Sequence, residues 1–500
     1  MSESAATAPA AVTEATAPTA GKASLARKIG GKTAWVAAGR FGDMLAVFGA
    51  NAILGRWFPE EAQFKSFFVI FNVVALLSIC GTLGLNRSIV RFVSEQLGAG
   101  RTADAESTLR RAIAITLAGA AVVAIGMGVW AAVAFEEHGA ATACWLAIGV
   151  FLRTVQRFIG EALRAYDEIR GASLFAGQNA GQAAGPVSDL IFLALLIAAY
   201  LVAEPSLPLV IALNALSLVG SLPLGWVLLK RVIGASHGKA HEELGVVADA
   251  ANSGAVDGIE ADAIAGPASY RQLVAVSVGV LATQVLIFTA WHSDLWLADW
   301  FLPDADAAHF ATARNLLITV MAPLALINLA VVASIPLLYG QKRLSELQDL
   351  LRMASTLGGL PTLVAIVGMT VLAGPVLSVA FGAKWAAAAP ILIILSLGRL
   401  ANAWAGIASF ALMMTGYERT HLAISAAATA VQWLLAPLAA RQYGVTAMAV
   451  VCAAVFLAHH VALWWAVHKR LGVWSHASFG ELTALSPKKL RKLLSRPAAR

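Results

Sequence analysis

The feature that most constrains this chain is a series of apolar runs, each of 18 residues or more. A helical run of that length crosses the roughly 30 Å hydrocarbon core of a bilayer. One or two such runs are compatible with a signal or an anchor, but about twelve place the chain in the membrane. Only 13% of the residues are charged and 59% are hydrophobic, which is too little charge to cover a soluble surface. The sequence therefore predicts an all-α polytopic membrane protein that does not bind nucleic acid.

The distribution of basic residues predicts how the chain crosses the membrane. With the N-terminus inside, the inside segments hold 27 Lys and Arg, whereas the outside segments hold only Arg56, Lys65, Lys384 and Arg441. Because cytoplasmic loops are enriched in Lys and Arg, this bias predicts a multi-pass protein with both termini in the cytoplasm. The predicted helices are 33–56, 64–86, 109–135, 141–164, 173–201, 207–230, 272–298, 309–338, 351–380, 388–415, 420–440 and 444–468.

Short motifs recur at a separation of about half the chain, which predicts two six-helix halves. The run Trp57-Phe58-Pro59-Glu60 at the end of helix one resembles Trp300-Phe301-Leu302-Pro303-Asp304 at the end of helix seven. Since six is even, the halves have the same orientation and form two pseudo-symmetric bundles around an axis along the membrane normal. The predicted parts are a disordered cytoplasmic N-terminus (1–32), the first bundle (33–231), a flexible cytoplasmic linker (232–271), the second bundle (272–470) and a basic cytoplasmic tail (471–500).

Five basic residues remain inside the predicted helices. Each costs at least ~2.5 kcal/mol at the centre of a bilayer, so we expect it to face a wet cavity or to pair with an acid. Helix four carries Arg153, Arg157, Glu161 and Arg164 on one face, which favours a binding track for an anionic group. The alternative is that Arg157 pairs with Glu161 and that Arg164 reaches the cytoplasmic interface. The candidate cavity residues for an anionic head group are Arg40, Arg153, Arg157, Arg314 and Arg399.

Intramembrane acids are candidates for ion coupling or for pairing with these arginines. Asp43 lies one turn from Arg40, Asp189 has arginines as alternative partners, and Asp294 could instead be solvated near the outer surface. The acids considered are Asp43, Glu161, Asp189 and Asp294, and the candidate coupling ions are H⁺ and Na⁺. The three cysteines lack metal-ligand spacing, and there is no Walker motif, so we expect no metal, no cofactor, no catalytic residues and no enzymatic activity.

Three segments resemble a known transporter family. They are 81–95 (GTLGLNRSIVRFVSE), 381–390 (FGAKWAAAAP) and 413–419 (MMTGYER). They are similar to conserved runs of polysaccharide-biosynthesis, O-antigen-type flippases of the multidrug/oligosaccharidyl-lipid/polysaccharide exporter (MOP) superfamily. The resemblance implies two six-helix bundles enclosing a central cationic cavity, with Arg87, Arg91 and Arg164 at its cytoplasmic entrance.

The function implied by the resemblance is alternating-access flipping of a polyprenyl-pyrophosphate-linked oligosaccharide across the bacterial inner membrane for surface polysaccharide biosynthesis. A cationic cavity suits a pyrophosphate because preplaced guanidinium groups offset the cost of bringing an anion into the membrane. Membrane lipids and a polysaccharide polymerase are the expected partners. The alternatives are a multidrug exporter of the same superfamily, against which the five intramembrane arginines count, and a membrane polysaccharide polymerase or ligase, for which the outside segments are too short.

Overall fold

The fold is helical throughout the part of the chain that the structure describes. This computed structural model covers residues 19–134, 139–175, 184–251, 266–332 and 334–478. The helices are α1 (Thr19–Trp57), α2 (Glu61–Gly81), α3 (Leu85–Gly98), α4 (Thr102–Ala134), α5 (Gly139–Ala165), α6 (Ile169–Phe175), α7 (Pro186–Val202), α8 (Leu207–Ala251), α9 (Tyr270–Phe301), α10 (Asp304–Val320), α11 (Ala322–Val331), α12 (Ser334–Gly340), α13 (Leu344–Val371), α14 (Ala373–Phe381), α15 (Ala389–Ala405), α16 (Ala408–Met414) and α17 (Glu418–Leu471).

All twelve predicted crossings coincide with these helices, although several crossings are broken. Within the described residues, eight helices are long and apolar enough to span a membrane. The second crossing is α2 plus α3, the eighth is α10 to α12, and the tenth is α15 plus α16, whereas α17 contains the last two crossings joined at Gly444 (φ 74°). The fifth crossing consists of α6 and α7, between which residues 176–183 lie outside the described part.

The break between α2 and α3 has a clear physical cause at Gly84. This residue has φ 80°, a conformation that side-chain-bearing residues rarely adopt. A Cβ atom built there would lie 2.2 Å from the backbone oxygen of Ser277 in α9. The glycine therefore lets the chain turn from α2 into α3 and lets that turn pack directly against the backbone of the second half.

The helices form two six-helix bundles, α1 to α8 and α9 to α17, whose largest shared core lies at one end. In the first bundle α5 packs on α4 and α8, and in the second α15 packs on α13 and α17. The largest buried cluster joins both bundles, with Phe64 of the first against Phe381 and Trp385 of the second. We call this the closed end, which is formed by the end of α1, the start of α2, the end of α9 and the start of α10.

Toward the opposite end the two bundles have separate cores. One cluster is built around Leu85 and Phe158 of the first bundle and reaches only the start of α9, at Leu273. The other is built around Leu350 and Val467, both of the second bundle. The bundles are thus joined by a large common core at the closed end, whereas at the other end they meet where α3 packs on α9.

Segments outside the predicted bundles are more helical than the sequence suggested. Helix α8 continues to Ala251, so the first part of the predicted flexible linker is helical, and α1 begins at Thr19 within the predicted disordered N-terminus. After α17 the chain folds back on the second bundle, where Val473 is buried and the amide of Ala477 donates to the carbonyl of Trp404. Residues 1–18, 252–265 and 479–500 lie outside the described part, so the predictions made for them stay predictions.

Candidate functional site

The predicted site residues form two clusters, one in each bundle. In the first bundle, α1 brings Arg40 to 4.0 Å from Asp43, measured between Nη1 and Oδ2. Asp43 and Arg153 of α5 are each only 2% exposed, and the charge of Arg153 acts on both Asp43 and Asp189. Arg40 lies in turn within electrostatic range of Glu161. Residues from α1, α5 and α7 therefore make one buried ionic network, which we call the first-bundle cluster.

Asp189 is held in this cluster by the start of α7. Its carboxylate oxygens accept hydrogen bonds from the backbone amides of Ala184, at 3.1 and 3.2 Å, and Gly185, at 3.1 Å. A carboxylate in the first turn of a helix also benefits from the unpaired amides and the positive end of the helix dipole. The carboxyl group of Asp43 lies close enough to that of Asp189 for the two to interact directly. The fold thus fixes one acid by backbone contacts and places a second acid beside it.

On the charged face of α5, Glu161 pairs with a different arginine from the one that the sequence alternative proposed. Glu161 forms its salt bridge with Arg164, whose Nη1 donates to both carboxylate oxygens at 2.8 and 3.1 Å, and not with Arg157. That part of the alternative is wrong, because an (i, i+3) partner is as close as an (i, i+4) partner on a helix. Arg157 keeps part of its side chain accessible and lies within electrostatic range of Arg87 on α3.

Two of the three arginines predicted at the cytoplasmic entrance lie on one exposed helix face. Arg87 and Arg91 are both exposed on α3, and Arg91 Nε donates to Glu95 at 2.8 Å. The position of Arg87 near Arg157 connects this exposed face to the charged face of α5. Arginines therefore continue from the interior of the first bundle to the end opposite the closed end.

The second-bundle cluster is centred on Arg314 of α10, which is 2% exposed. Its Nε donates to both oxygens of Asp294 at 3.1 and 3.2 Å, and its Nη2 donates to the carbonyl of Trp291 at 2.7 Å. The same Nη2 lies 2.9 Å from Nδ1 of His292, which must accept because arginine is only a donor. Asp294 is 9% exposed, so the expectation that it could be merely solvated is wrong.

Arg399 of α15 completes the second-bundle cluster. Its guanidinium carbon lies 3.6 Å from the ring centroid of Phe456, in a cation–π contact. It is also within electrostatic range of Asp294 and Arg314, and its side chain remains partly accessible. Asp294 is therefore the acidic partner of two guanidinium groups, those of Arg314 and Arg399. Among the described residues, the first-bundle cluster holds four arginines and three acids, and the second holds two arginines and one acid. Each cluster thus contains one more guanidinium than carboxylate in this part of the chain.

The sequence did not identify the contacts that close one end of the molecule. Arg56 is the last basic residue of α1, and its Nε donates to the carbonyl of Ala380 at 3.3 Å while its Nη2 donates to that of Val379. Both carbonyls lie in the last turn of α14, in the other bundle. Helix C-termini leave unpaired carbonyls and carry the negative end of the helix dipole, so they attract a cation.

The reciprocal contact comes from the second bundle. Lys384, which follows α14, donates from Nζ to the carbonyls of Phe58 at 2.6 Å and Pro59 at 3.3 Å, directly after α1. The indole of the adjacent Trp385 donates to the carbonyl of Gly55 at 2.9 Å. Each bundle therefore caps the end of a helix in the other.

An ion pair adds a third connection at this end. The Nζ of Lys65 in α2 lies 2.7 Å from carboxylate oxygens of both Asp299 and Asp304. The Lys65 side chain is 11% exposed, Asp299 is 23% exposed and Asp304 is 71% exposed. We call the cross-bundle contacts of Arg56, Lys65, Lys384 and Trp385 the closed-end latch.

Comparison with solved structures identifies the architecture. An inward-facing multidrug resistance MATE family transporter of the MOP superfamily superposes with a TM-score of 0.60 over 86% of this chain and 94% of that chain, at 12% identity. The chain has the MATE transporter fold. The MATE transporter VcmN of Vibrio cholerae matches with a TM-score of 0.58 over 91% of this chain and 98% of that one, at 16% identity.

Another match is a MOP superfamily transporter from Pyrococcus furiosus, for which a reversed polarity of the binding pocket suggests a different function. It has a TM-score of 0.56 over 88% of this chain and 95% of that one, at 13% identity. No protein-family model and no curated sequence matches this chain. The predicted fold class is confirmed, and the sequence resemblance is supported at the level of the fold but not at the level of the O-antigen-type flippases.

Proposed function

We propose that this chain is an alternating-access transporter, and not an enzyme, whose substrate is an amphipathic organic molecule with an anionic group. The observation that carries the proposal is the excess of guanidinium over carboxylate that the described residues show in both clusters. Charged groups are costly within a membrane, and a substrate anion offsets that cost at the moment it is bound. Arg153 of the first cluster and Arg399 of the second are the residues to which we assign the anion.

The arrangement of the two bundles supports alternating access. A shared core and a latch join the bundles at the closed end. Toward the end that carries Arg87 and Arg91, the bundles touch through α3 and α9, and the rest of their cores are separate. In this state the clusters would communicate with the side that the charge bias predicts to be cytoplasmic. Transport would require the closed-end latch to break and the opposite ends of the bundles to approach each other, as in other transporters built from repeats.

The proposed function has a more specific version, which names the substrate, and one alternative. The narrower version is a polyprenyl-pyrophosphate-linked oligosaccharide flipped across the bacterial inner membrane, with both termini cytoplasmic and a polysaccharide polymerase as partner. It rests on the sequence resemblance and on the arginine excess. The rival is multidrug export, and the structural comparisons favour it, because two of the matching structures are described as multidrug resistance MATE transporters. An amphipathic anion is compatible with either transport process.

We assign ion coupling to the pair formed by Asp43 and Asp189. Two carboxylates in direct contact repel each other when both are ionised, so the pair favours holding one proton or one monovalent cation. The positive charge of Arg153 stabilises both ionised carboxylates. If a substrate anion binds Arg153 and moves it away, the affinity of the carboxylate pair for a cation would rise. Binding of substrate and of the coupling ion would then be linked through one residue.

A transport assay on inverted membrane vesicles tests the proposal. The probes are an anionic amphiphilic dye, 8-anilinonaphthalene-1-sulfonate, and a cationic one, ethidium. We expect transport of the anionic dye that falls about tenfold in Arg153→Ala, the scale of one charge-assisted hydrogen bond. The matched control is Arg441→Ala, because Arg441 lies over the ring of Phe301 at the closed end and belongs to neither cluster. Transport of ethidium alone, or equal activity in the two variants, would overturn the proposal.

The narrower version needs a separate measurement. A strain that carries Arg153→Ala in place of the wild-type gene should lose surface polysaccharide while keeping normal amounts of the protein in its membranes. If that strain makes normal polysaccharide but exports the anionic dye poorly, the flippase version is wrong and export of organic anions stands.

A further inference from the structure

A groove on the seam between the two bundles carries an inference that does not depend on the transported substrate. It has a volume of about 640 Å³ and lies beside the closed-end latch, between α1 and α7 of the first bundle and α14, with the preceding Leu372, of the second. Its lining includes Phe48, Ala52 and Ile53 on one side and Pro375 and Val376 on the other. Except for Arg56 and Tyr200, the side chains that line it are apolar.

The groove opens onto a surface that is suited to lipid. At its rim Tyr200, Leu372 and Val379 are 47%, 51% and 73% exposed. Large apolar side chains exposed at the ends of spanning helices are expected where they face hydrocarbon. The volume falls within the 300–1,000 Å³ that is typical of small-molecule sites. An acyl chain can therefore enter from the bilayer without crossing a polar surface.

The charge of Arg56 defines the head group that the groove would accept. Its two hydrogen bonds go to the carbonyls of Val379 and Ala380, which are neutral acceptors. Among the described residues, no carboxylate lies within salt-bridge distance of Arg56, and its side chain is exposed. A guanidinium group binds phosphate with bidentate, charge-assisted hydrogen bonds, and basic sites between spanning helices recruit anionic head groups.

We propose that this seam groove binds a bilayer phospholipid with a net anionic head group, of the phosphatidylglycerol type. One acyl chain occupies the apolar groove, and the phosphate contacts Arg56 at its rim. A zwitterionic lipid would fill the groove equally well but would leave the charge of Arg56 less compensated. Because both bundles form the walls, a lipid bound there stabilises the state in which the closed end is closed.

Native mass spectrometry of the purified full-length protein tests this site. Wild type is titrated with phosphatidylglycerol and with phosphatidylcholine of identical acyl chains. We expect the anionic lipid to bind about tenfold more tightly, as one charge-assisted phosphate contact would give. In Arg56→Gln this preference should fall to less than about threefold, while the apolar part of the binding remains.

Two control variants separate lipid binding from effects on the latch and on surface charge. Lys384→Gln removes the reciprocal latch cation, which does not line the groove, and Arg441→Gln removes a closed-end charge outside the latch. Both should keep the tenfold preference. Ala52→Phe narrows the groove and should weaken both lipids. The proposal is overturned if Arg56→Gln keeps the wild-type preference, if Lys384→Gln loses it equally, if Ala52→Phe binds both lipids normally, or if wild type prefers neither lipid.

Discussion

Replacing Lys65 with glutamine should shift the protein away from the state with a closed end. Lys65 is the charged residue of the latch that pairs with carboxylates, and its Nζ lies 2.7 Å from oxygens of both Asp299 and Asp304. Glutamine removes the charge but keeps a side chain of similar length. The substitution therefore leaves two acids of the second bundle without their cation, while the apolar core of the closed end stays intact.

The size of the effect follows from how exposed each partner is. Asp304 is 71% exposed, so its contribution is that of a surface pair, at most about 1 kcal/mol. Asp299 is 23% exposed and Lys65 is 11% exposed, so this pair lies between the surface case and the 3–5 kcal/mol found for breaking a buried pair. A total of about 2 kcal/mol corresponds to a roughly 30-fold change in the closed-to-open ratio. A ratio of about 100 would fall to roughly 3.

Double electron–electron resonance can measure this ratio as two populations of distances. Spin labels are placed at two exposed positions, Glu204 between α7 and α8 of the first bundle and Gln442 beside the Gly444 break in α17 of the second. The native cysteines Cys80, Cys144 and Cys452 are first replaced. Wild type should give mainly the short distance, and Lys65→Gln should add a clearly populated longer one.

The controls for the Lys65 experiment are on the same helices. Asp306→Asn removes a neighbouring acid of α10 that forms no cross-bundle salt bridge among the described residues, and it should leave the distances unchanged. Asp304→Asn should shift them less than Lys65→Gln, because it leaves the pair with Asp299 in place. The reasoning is refuted if Lys65→Gln and Asp306→Asn give the same distance distribution.

Three further substitutions test other parts of the structure. Lys384→Gln should shift the closed-to-open equilibrium by about 0.5–1 kcal/mol, because it removes only a cation at a helix C-terminus. On the same distance measurement, this shift should be smaller than that of Lys65→Gln. Arg314→Met should destabilise the purified protein by about 3–5 kcal/mol, since it leaves the buried Asp294 without the cation that hydrogen-bonds to it, and adding Asp294→Asn should restore most of the melting temperature. Gly84→Ala should lower the melting temperature by an amount equivalent to at least ~1 kcal/mol. The new Cβ would clash with the Ser277 carbonyl, and alanine would be strained at the positive φ of this position. Gly98→Ala, whose Cβ would lie in open space, should leave the melting temperature unchanged.

The apolar runs predicted the crossings well because their signal is local. Hydrocarbon thickness sets the length of each run, and every predicted segment coincides with helix in the described residues. The breaks were not predicted, because they depend on contacts between distant segments. At Gly84 the decisive contact is with the backbone of α9, almost two hundred residues away, and nothing in the local sequence distinguishes this glycine from others.

Charge partners were predicted less well than charge positions. Spacing on a helix placed Arg157, Glu161 and Arg164 on one face, but it could not decide which arginine pairs with the acid. Asp294 lies near a helix end in the sequence, and only the approach of α10 shows that Arg314 covers it. A one-dimensional pattern gives the depth and the face of a side chain, whereas the partner is decided by how the helices pack.

The basic residues on the side predicted to be outside illustrate this difference. Only four basic residues fall on that side, where the enrichment of Lys and Arg in cytoplasmic loops leaves few cations. Three of them, Arg56, Lys65 and Lys384, contact the opposite bundle at the closed end. The fourth, Arg441, packs over Phe301 within its own bundle. Since topology favours few cations on that side, those present are best explained by a specific contact, which here is the attachment of one bundle to the other.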